Sequence, residues 1–289
     1  MNPMTTMTTT CPPDAAASSA DGLRWRIEDL DFSRIALDQA RADETLFYLA
    51  CSASFIESGS HLYTRNLIDF YRGDREVTDW LAEHWEPEEL QHGRALRAYV
   101  RRVWPEFDWE PAYRSFMEEY ARYCKVELLG PTRGLEMAAR CVVETGTATY
   151  YGAVSRATSE PVLKDLASRI ARDEVNHYKH FYRFFRRYRE QEGLGRGRVL
   201  ATLGRRTMEL KSEDADCAIR HIAKARAPER AAAVDYLRRV SAGMNREVRV
   251  HLSPGATLKM LMRPLELPAR VQAAVQYPIR QFMQRVFLR

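Results

Sequence analysis

Two copies of the pattern Glu-x-x-His recur in this sequence. The first is Glu89 and His92, and the second, 85 residues later, is Glu174 and His177. Residues three apart in an α-helix lie on one face, so each pair can present a carboxylate oxygen and an imidazole nitrogen to one cation. The two pairs therefore predict two helices that each bring ligands to a metal site.

A lone glutamate precedes each of these pairs. Glu57 lies 32 residues before Glu89, and Glu144 lies 30 residues before Glu174. Carboxylates can bridge two cations, and four of them balance the charge of two divalent ions. The spacing therefore predicts an internal repeat that holds two metal ions close together. His61, one turn after Glu57, is a rival ligand, but nothing in the second copy matches it.

Apolar residues at three-and-four spacing surround each of these candidates. In the second copy, Leu166 and Ile170 lead along one helix face to Glu174 and His177. A bundle helix buries such a face, so the spacing predicts polar groups in the core. An unpaired buried carboxylate is costly, which favours pairing, neutralisation or a bound cation. The alternative interpretation makes these residues surface groups, helix caps or core histidines satisfied by a nearby glutamate.

The chain as a whole predicts an all-α fold. Long stretches between Gly and Pro show helical spacing, whereas alternating β-branched runs are missing. Residues 1–22, rich in Thr, Ser, Ala and Pro, are expected to form a disordered tail. We predict a four-helix bundle over residues 23–192 and a basic helical extension over 193–289, packed on the bundle. The predicted helices are 41–71, 77–103 with a break at Pro87, 111–124, 132–157, 161–192, 199–208, 229–248 and 269–288.

Three segments of the chain resemble the soluble acyl carrier protein desaturases, within the ferritin-like di-iron superfamily. Residues 85–93, WEPEELQHG, are similar to that family's W-x-x-E-E-x-x-H-G helix. Residues 173–177, DEVNH, are similar to its D-E-x-x-H, and residues 144–147, ETGT, to its E-x-x-T. The resemblance covers roughly residues 40–190, and residues 193–289 show no pattern that matches it.

This resemblance implies a ferritin-like bundle with two iron ions that activate O2. It also implies desaturation of an acyl chain on acyl carrier protein, with electrons from a ferredoxin-like donor. Thr147 would line the oxygen pocket, and Asp173 would support the centre without binding metal. The implied metal ligands are Glu57, Glu89, His92, Glu144, Glu174 and His177.

The net charge is distributed unevenly along the chain. Residues 1–182 carry 21 Lys and Arg against 29 Asp and Glu, a net −8, whereas residues 183–289 carry 23 against 10, a net +13. A basic surface attracts acidic partners, and acyl carrier proteins and ferredoxins are typically acidic. We therefore predict that Arg183, Arg186, Arg187 and Arg189 bind the carrier protein. The alternatives are a solvated helix face, an anionic membrane surface and, less expected, nucleic acid.

Composition excludes a transmembrane protein, because no apolar run approaches the roughly 18 residues of a membrane-spanning helix. The five cysteines are scattered and odd in number, which disfavours a disulfide framework and favours a cytoplasmic location. Two other functions stay open. One is a di-iron oxygenase that hydroxylates or N-oxygenates a biosynthetic intermediate, and the other is a non-enzymatic metal-binding protein. Iron versus manganese, and a homodimer, also stay open.

Overall fold

The computed structural model describes residues 22–124, 126–209, 213–272, 274, 276–278 and 281. Within these ranges the regular structure is helical and contains no strand, so the predicted all-α class is confirmed. Apart from Gly22, the predicted tail over residues 1–22 lies outside the described residues, as does much of the predicted helix over 269–288. No helix in the described part of the chain is long and apolar enough to cross a membrane.

The helices follow one another with short connections. Their bounds are α1 Leu37–Ala42, α2 Glu44–Ser58, α3 Ser60–Phe70, α4 Arg75–Trp80, α5 Glu86–Val103, α6 Trp109–Tyr120, α7 Arg133–Ala157, α8 Pro161–Gln191, α9 Arg196–Glu209, α10 Glu213–Arg226, α11 Pro228–Ala231, α12 Val234–Val250 and α13 Pro254–Met262. The predicted helix over 41–71 is divided, because α2 ends at Ser58 and α3 begins at Ser60, with Gly59 between them.

Helices α7 and α8 form a long antiparallel pair. Their starts are set by capping side chains: Thr132 Oγ1 accepts a hydrogen bond from the amide of Leu135, and the Glu160 carboxylate accepts from the amide of Leu163. A side-chain cap satisfies amides that have no partner within the helix. Both starts agree with the predicted boundaries to within one residue.

Helices α2 and α5 form a second antiparallel pair. The rings of Phe47 and Trp104 are in contact at one end, with centroids 5.1 Å apart. At the other end Gly93 lies against Ser58, so close that a Cβ on Gly93 would come within 2.6 Å of the Ser58 backbone nitrogen. Only glycine permits this approach, which brings the middle of the bundle together.

The helix that leads into the first ligand pair is continuous through Pro87. α4 is followed by a wide π turn, Leu81–Trp85, in which the amide of Glu86 donates to the carbonyl of Leu81, and α5 begins directly afterwards. Pro87 lies in the first turn of α5, where its missing N–H costs least. The predicted break at Pro87 is therefore wrong, and the irregularity is a π turn just before it.

The helices after α8 pack around the bundle. α9, α12 and α13 contact α7, and α10 contacts both α2 and α6. α10 and α13 have no counterpart among the predicted helices. The apolar core forms two clusters, one around Phe47, Phe55 and Phe116 and the other around Phe181 and Phe185.

Candidate metal centre

The two Glu-x-x-His pairs and the two lone glutamates come together where α2, α5, α7 and α8 meet. Each of these residues is buried, the most exposed being 6 % accessible. We call this group the carboxylate centre. Its members are Glu57 on α2, Glu89 and His92 on α5, Glu144 on α7, and Glu174 and His177 on α8.

Two overlapping groups of ligand atoms make up the carboxylate centre. Glu57 and His92 form the first group with Glu89 and Glu174, and within it the ligand atoms lie no more than 4.8 Å apart. The second group consists of Glu144 and His177 with Glu89 and Glu174, and its ligand atoms also lie within 4.8 Å of one another. Each group can hold one metal ion. Because Glu89 and Glu174 belong to both groups, these two carboxylates are placed to bridge two ions.

Both histidines turn Nδ1 toward the carboxylates. His92 Nδ1 lies 3.5 Å from Glu174 Oε1 and 3.9 Å from Oε2 of both Glu57 and Glu89. His177 Nδ1 lies 3.1 Å from Glu89 Oε1. Nitrogen and oxygen ligands of a divalent ion bind at about 2.0–2.2 Å, so atoms on one ion are themselves separated by about 3 Å or more. These spacings suit ligands arranged around a cation.

Several polar atoms of the carboxylate centre have no hydrogen-bond partner among the described residues. They are Nδ1 of His92, Nδ1 of His177, Oε2 of Glu144 and Oε1 of Glu174. Buried polar atoms are nearly always satisfied in native proteins, so unpaired ones that face a common space call for a ligand. Two cations between these residues would satisfy all four atoms.

The outer nitrogen of each histidine is held by an acidic side chain. His92 Nε2 lies 3.0 Å from Asp173 Oδ2, and His177 Nε2 lies 2.7 Å from Glu88 Oε2. Such a contact orients the ring and leaves the inner nitrogen free to bind metal. Asp173 therefore lies beside a histidine rather than among the shared carboxylates.

Glu88 is a functional candidate that the sequence analysis missed. It precedes Glu89 as Asp173 precedes Glu174, and the two acids are 85 residues apart, which is the interval of the repeat. Each acid reaches across to the histidine of the other copy. The repeat itself was therefore a signal that could have identified Glu88.

Trp25 was also missed. Its indole Nε1 donates to Asp173 Oδ2 at 2.6 Å, and its ring stacks on His92 with the two ring planes 8° apart. Trp25 thus holds both Asp173 and His92 from outside the bundle. Nothing in the spacing around Trp25 indicates this role, because 148 residues separate it from Asp173.

Two hydroxyl groups contact the inner carboxylates. Thr147 Oγ1 donates to Glu174 Oε2 at 2.7 Å, and the Tyr151 hydroxyl donates to Glu57 Oε1. Thr147 and Tyr151 therefore both lie beside the carboxylate centre. The rival ligand His61 is exposed and lies near the carbonyl of Ser58, apart from both ligand groups.

Without a cation, ionisation of most carboxylates in the centre is unfavourable. Burial, together with the charge of Glu174, raises the pKa of Glu57 and Glu89, and burial raises the pKa of Glu144 to about 8. Burial also acts to raise the pKa of Glu174, but the two adjacent histidines outweigh it and lower that pKa. The metal-free centre therefore retains protons at neutral pH.

Burial and the neighbouring carboxylates shift the pKa of each histidine in opposite directions. Burial lowers the pKa of His92 and His177, but the surrounding carboxylates outweigh it, so both pKa values lie well above the ordinary histidine value. Protons on these rings and on the carboxylates occupy the space that a cation would take. Metal binding at this centre must therefore release protons.

A cavity of about 1040 Å³ leads to the carboxylate centre. Glu57, Thr147 and Tyr151 are among the residues that line it, and its walls come from α2, α3, α7, α9, α10 and α12. Arg205 and Arg206 line it as well. The helices after α8 thus complete the cavity.

The four arginines predicted to bind a carrier protein are all paired within the chain. Arg183 and Arg187 contact Glu76, Arg187 also contacts Asp74, and Arg186 and Arg189 contact Glu266 at 3.1 and 2.9 Å. They connect α8 to α4 and to the segment after α13. The charge they offer to a partner is therefore smaller than their number suggests.

No known protein family, curated protein or solved structure matches the chain. What the chain does is therefore inferred from its own residues: buried Glu and His groups that can hold metal, and a cavity that reaches them.

Proposed function

We propose that this protein is an O2-dependent di-iron oxidoreductase with a ferritin-like bundle, and that it desaturates an acyl chain carried on acyl carrier protein. The observation that carries this proposal is the pair of four-residue ligand groups that share Glu89 and Glu174. Carboxylate-bridged dimetal sites in helical bundles take one Glu and one Glu-x-x-His per ion. Each of the two groups contains one lone Glu and one Glu-x-x-His, together with the shared Glu of the other pair.

The ligand types favour iron. Each group offers three carboxylates and one imidazole and contains no thiolate, a set that suits iron or manganese better than structural zinc. Four carboxylates balance two divalent charges, which removes the cost of a buried net charge. When bound, a pair of reduced iron ions supplies electrons to O2 and the oxidising power for C–H cleavage.

The residues around the centre have separable tasks. Asp173 and Glu88 orient the two histidines, and Trp25 buttresses the first of them. Thr147, which contacts Glu174 and faces the cavity, can hold a proton at the side from which substrate approaches. Tyr151 positions Glu57 on the same side. Both hydroxyls thus act where the cavity meets the centre.

The cavity supports an organic substrate over metal storage. Its volume of about 1040 Å³ is at the upper end of the range for small-molecule sites, whereas an ion or O2 needs far less room. Ile56, Leu67 and Val143 contribute apolar wall, which suits an aliphatic chain. Enclosure of the target carbons beside the centre would exclude water from the reaction.

A second candidate, an oxygenase of a free small molecule, is supported by the polar part of the cavity. Arg205 and Arg206 both contact Glu209 in the wall, and an acyl chain alone offers these groups no partner. A hydroxylase or N-oxygenase substrate with an anionic group would offer Arg205 and Arg206 a partner. The four paired arginines on α8 likewise give the carrier protein less free charge than the sequence predicts.

Iron analysis and product analysis test the proposal together. Iron-loaded protein is given O2, a ferredoxin reducing system and either acyl carrier protein substrates or free acids. Loss of two hydrogens from the carrier-bound chain supports desaturation, and gain of one oxygen in a free acid supports the second candidate. Glu174→Gln should abolish either activity, while Glu190→Gln, an exposed change on the same helix, should not. Iron binding without substrate-dependent O2 consumption would contradict both.

A further inference from the structure

We infer that a second metal site, separate from the carboxylate centre, lies where α6 meets α10 and takes a thiolate-binding ion of the zinc class. Its ligands are Glu119 from α6 and Cys217 and His221 from α10, and their ligand atoms all lie within 4.8 Å of one another. The inference does not depend on the function proposed above, because no residue is common to the two sites.

The local geometry follows from helix spacing. Cys217 and His221 are four residues apart on α10, so their side chains lie on one face. α10 packs against α6, which presents Glu119 to that face, and His221 Nε2 lies 3.0 Å from Glu119 Oε2. Cys217 is buried, while Glu119 and His221 are half-buried. An ion can therefore reach this site from the surface.

The contacts around these residues leave the proposed ligand atoms pointing at one another. Ser115, one turn before Glu119 on α6, has its Oγ 2.9 Å from His221 Nδ1. A proton on Nδ1 that is donated to Ser115 leaves Nε2 as the free nitrogen, which is the usual arrangement of a metal-binding histidine. Arg220 pairs with Oε1 of Glu119, so Oε2 faces the ligand group.

The set of atoms selects the kind of ion. Sulfur, imidazole nitrogen and one carboxylate oxygen suit tetrahedral zinc, with water in the fourth position. The thiolate and the carboxylate together balance a divalent charge. Burial raises the pKa of the Cys217 thiol to about 12, so this thiol is protonated without an ion and binding must release its proton. The oxygen-rich carboxylate centre has no such soft ligand, and the two sites should therefore prefer different metal ions.

An ion at this site would link α6 to a wall of the cavity. α10 belongs to the helices after α8, and Ala215 on α10 lines the cavity that leads to the carboxylate centre. An ion bound by Glu119, Cys217 and His221 ties this cavity wall to α6. Zinc should therefore stabilise the fold by binding only the native state.

Cobalt substitution tests the site in the full-length protein. Metal-free protein is titrated with Co(II), and a thiolate-to-cobalt charge-transfer absorption in the near ultraviolet is measured. We expect this absorption in the wild type and in Glu174→Gln, which alters only the carboxylate centre. We expect it to be lost in Cys217→Ser and retained in Cys124→Ser, a matched change at a half-buried cysteine outside the ligand group.

Zinc content and thermal stability provide independent readouts. The wild type should bind one zinc ion that His221→Gln and Glu119→Gln lose, and zinc should raise the melting temperature of the wild type but not of Cys217→Ser. A wild-type cobalt spectrum without thiolate absorption would overturn the site, even if every variant misfolded. Zinc retained in both Cys217→Ser and His221→Gln would overturn it as well, and the cluster would then be only a hydrogen-bonded link between α6 and α10.

Discussion

Helices α2, α5, α7 and α8 bury charged side chains in their shared core, whereas helices α9 to α13 carry theirs near or at the surface. Within the described part of α9 to α13, a single polar residue, Thr202, is buried, and its side chain carries no charge. The bundle therefore bears the carboxylate centre, which could hold metal, and its structure depends on how the charge of these residues is neutralised. The later helices instead supply walls to the cavity that leads to those ligands. A recurring ligand pattern marks the first region, and no comparable pattern marks the second.

The largest expected effect is at a shared carboxylate. Glu174→Ala removes a ligand from both groups, so iron should fall from about two ions per chain to nearly none, and activity with it. Glu144→Ala touches one group and should leave more iron bound. Iron analysis of both variants measures the difference. Full iron occupancy in Glu174→Ala would show that the bundle does not use these carboxylates as ligands.

Filling the cavity from either side tests whether the two regions build one substrate site. Val143→Phe adds bulk from the bundle and Ala215→Phe adds it from α10. Each should lower turnover by about tenfold, or about 1.4 kcal/mol in the barrier, because the substrate loses its place beside the centre. Iron content should not change. Normal turnover in Ala215→Phe would show that the later helices do not form part of the substrate site.

Stability of the metal-free protein should fall as pH rises from 5 to 8. The raised pKa values of Glu57, Glu89 and Glu144 mean that folding takes up protons, and the stability linked to this uptake is lost as pH rises toward the folded pKa, about 8 for Glu144. The raised pKa values of His92 and His177 act with the same sign above about pH 6.5.

The lowered pKa of Glu174 adds nothing in this range, because that carboxylate is ionised in both states above its ordinary value. The loss should be on the order of a few kcal/mol. Thermal or urea unfolding of metal-free and iron-loaded protein at each pH measures it. The same pH dependence in both forms would mean that the buried carboxylates do not share a metal site.

Two glycine substitutions test how closely the bundle must pack around its ligands. Gly93→Ala places a Cβ 2.6 Å from the Ser58 backbone, so it should separate α2 from α5 beside Glu57, with a cost of about 1–3 kcal/mol and weaker iron binding. Gly152→Ala on α7 meets only the flexible end of Arg156 at 3.4 Å and should be neutral or stabilise by up to about 1 kcal/mol. Urea unfolding compares the two.

The smallest effect is expected at the surface arginines. Arg183 and Arg186 are more than half exposed and each is already in an ion pair, so charge reversal at both should change stability by about 1 kcal/mol or less. If a carrier protein binds here, the variant should associate more slowly than the wild type at low salt, and the two rates should converge at high salt. Arg101→Glu, an exposed change on α5, is the control. Equal rates for all variants would leave these arginines as links between helices.

The sequence by itself determined the helical class, the starts of α7 and α8 to within one residue, and the six residues that meet in the carboxylate centre. These follow from local rules: a period of 3.6 residues, capping side chains, and ligands three apart on one face. The repeat also contained Glu88, 85 residues before Asp173, although only the structure drew attention to it. Local spacing failed at Pro87, where the irregularity is the π turn just before the proline, and at Gly59, where one predicted helix is divided into α2 and α3.

Tertiary structure alone decided which side chains meet across distant helices. Trp25 reaches Asp173 across 148 residues, and Glu119 meets His221 across 102. α10 was not predicted, although Ile219 and Ile222 form part of a buried apolar face, and the cavity wall that it forms could not be predicted either. The physical reason is that periodicity fixes which face of a helix is apolar, but not which helix covers it. That choice depends on the packing of the whole chain.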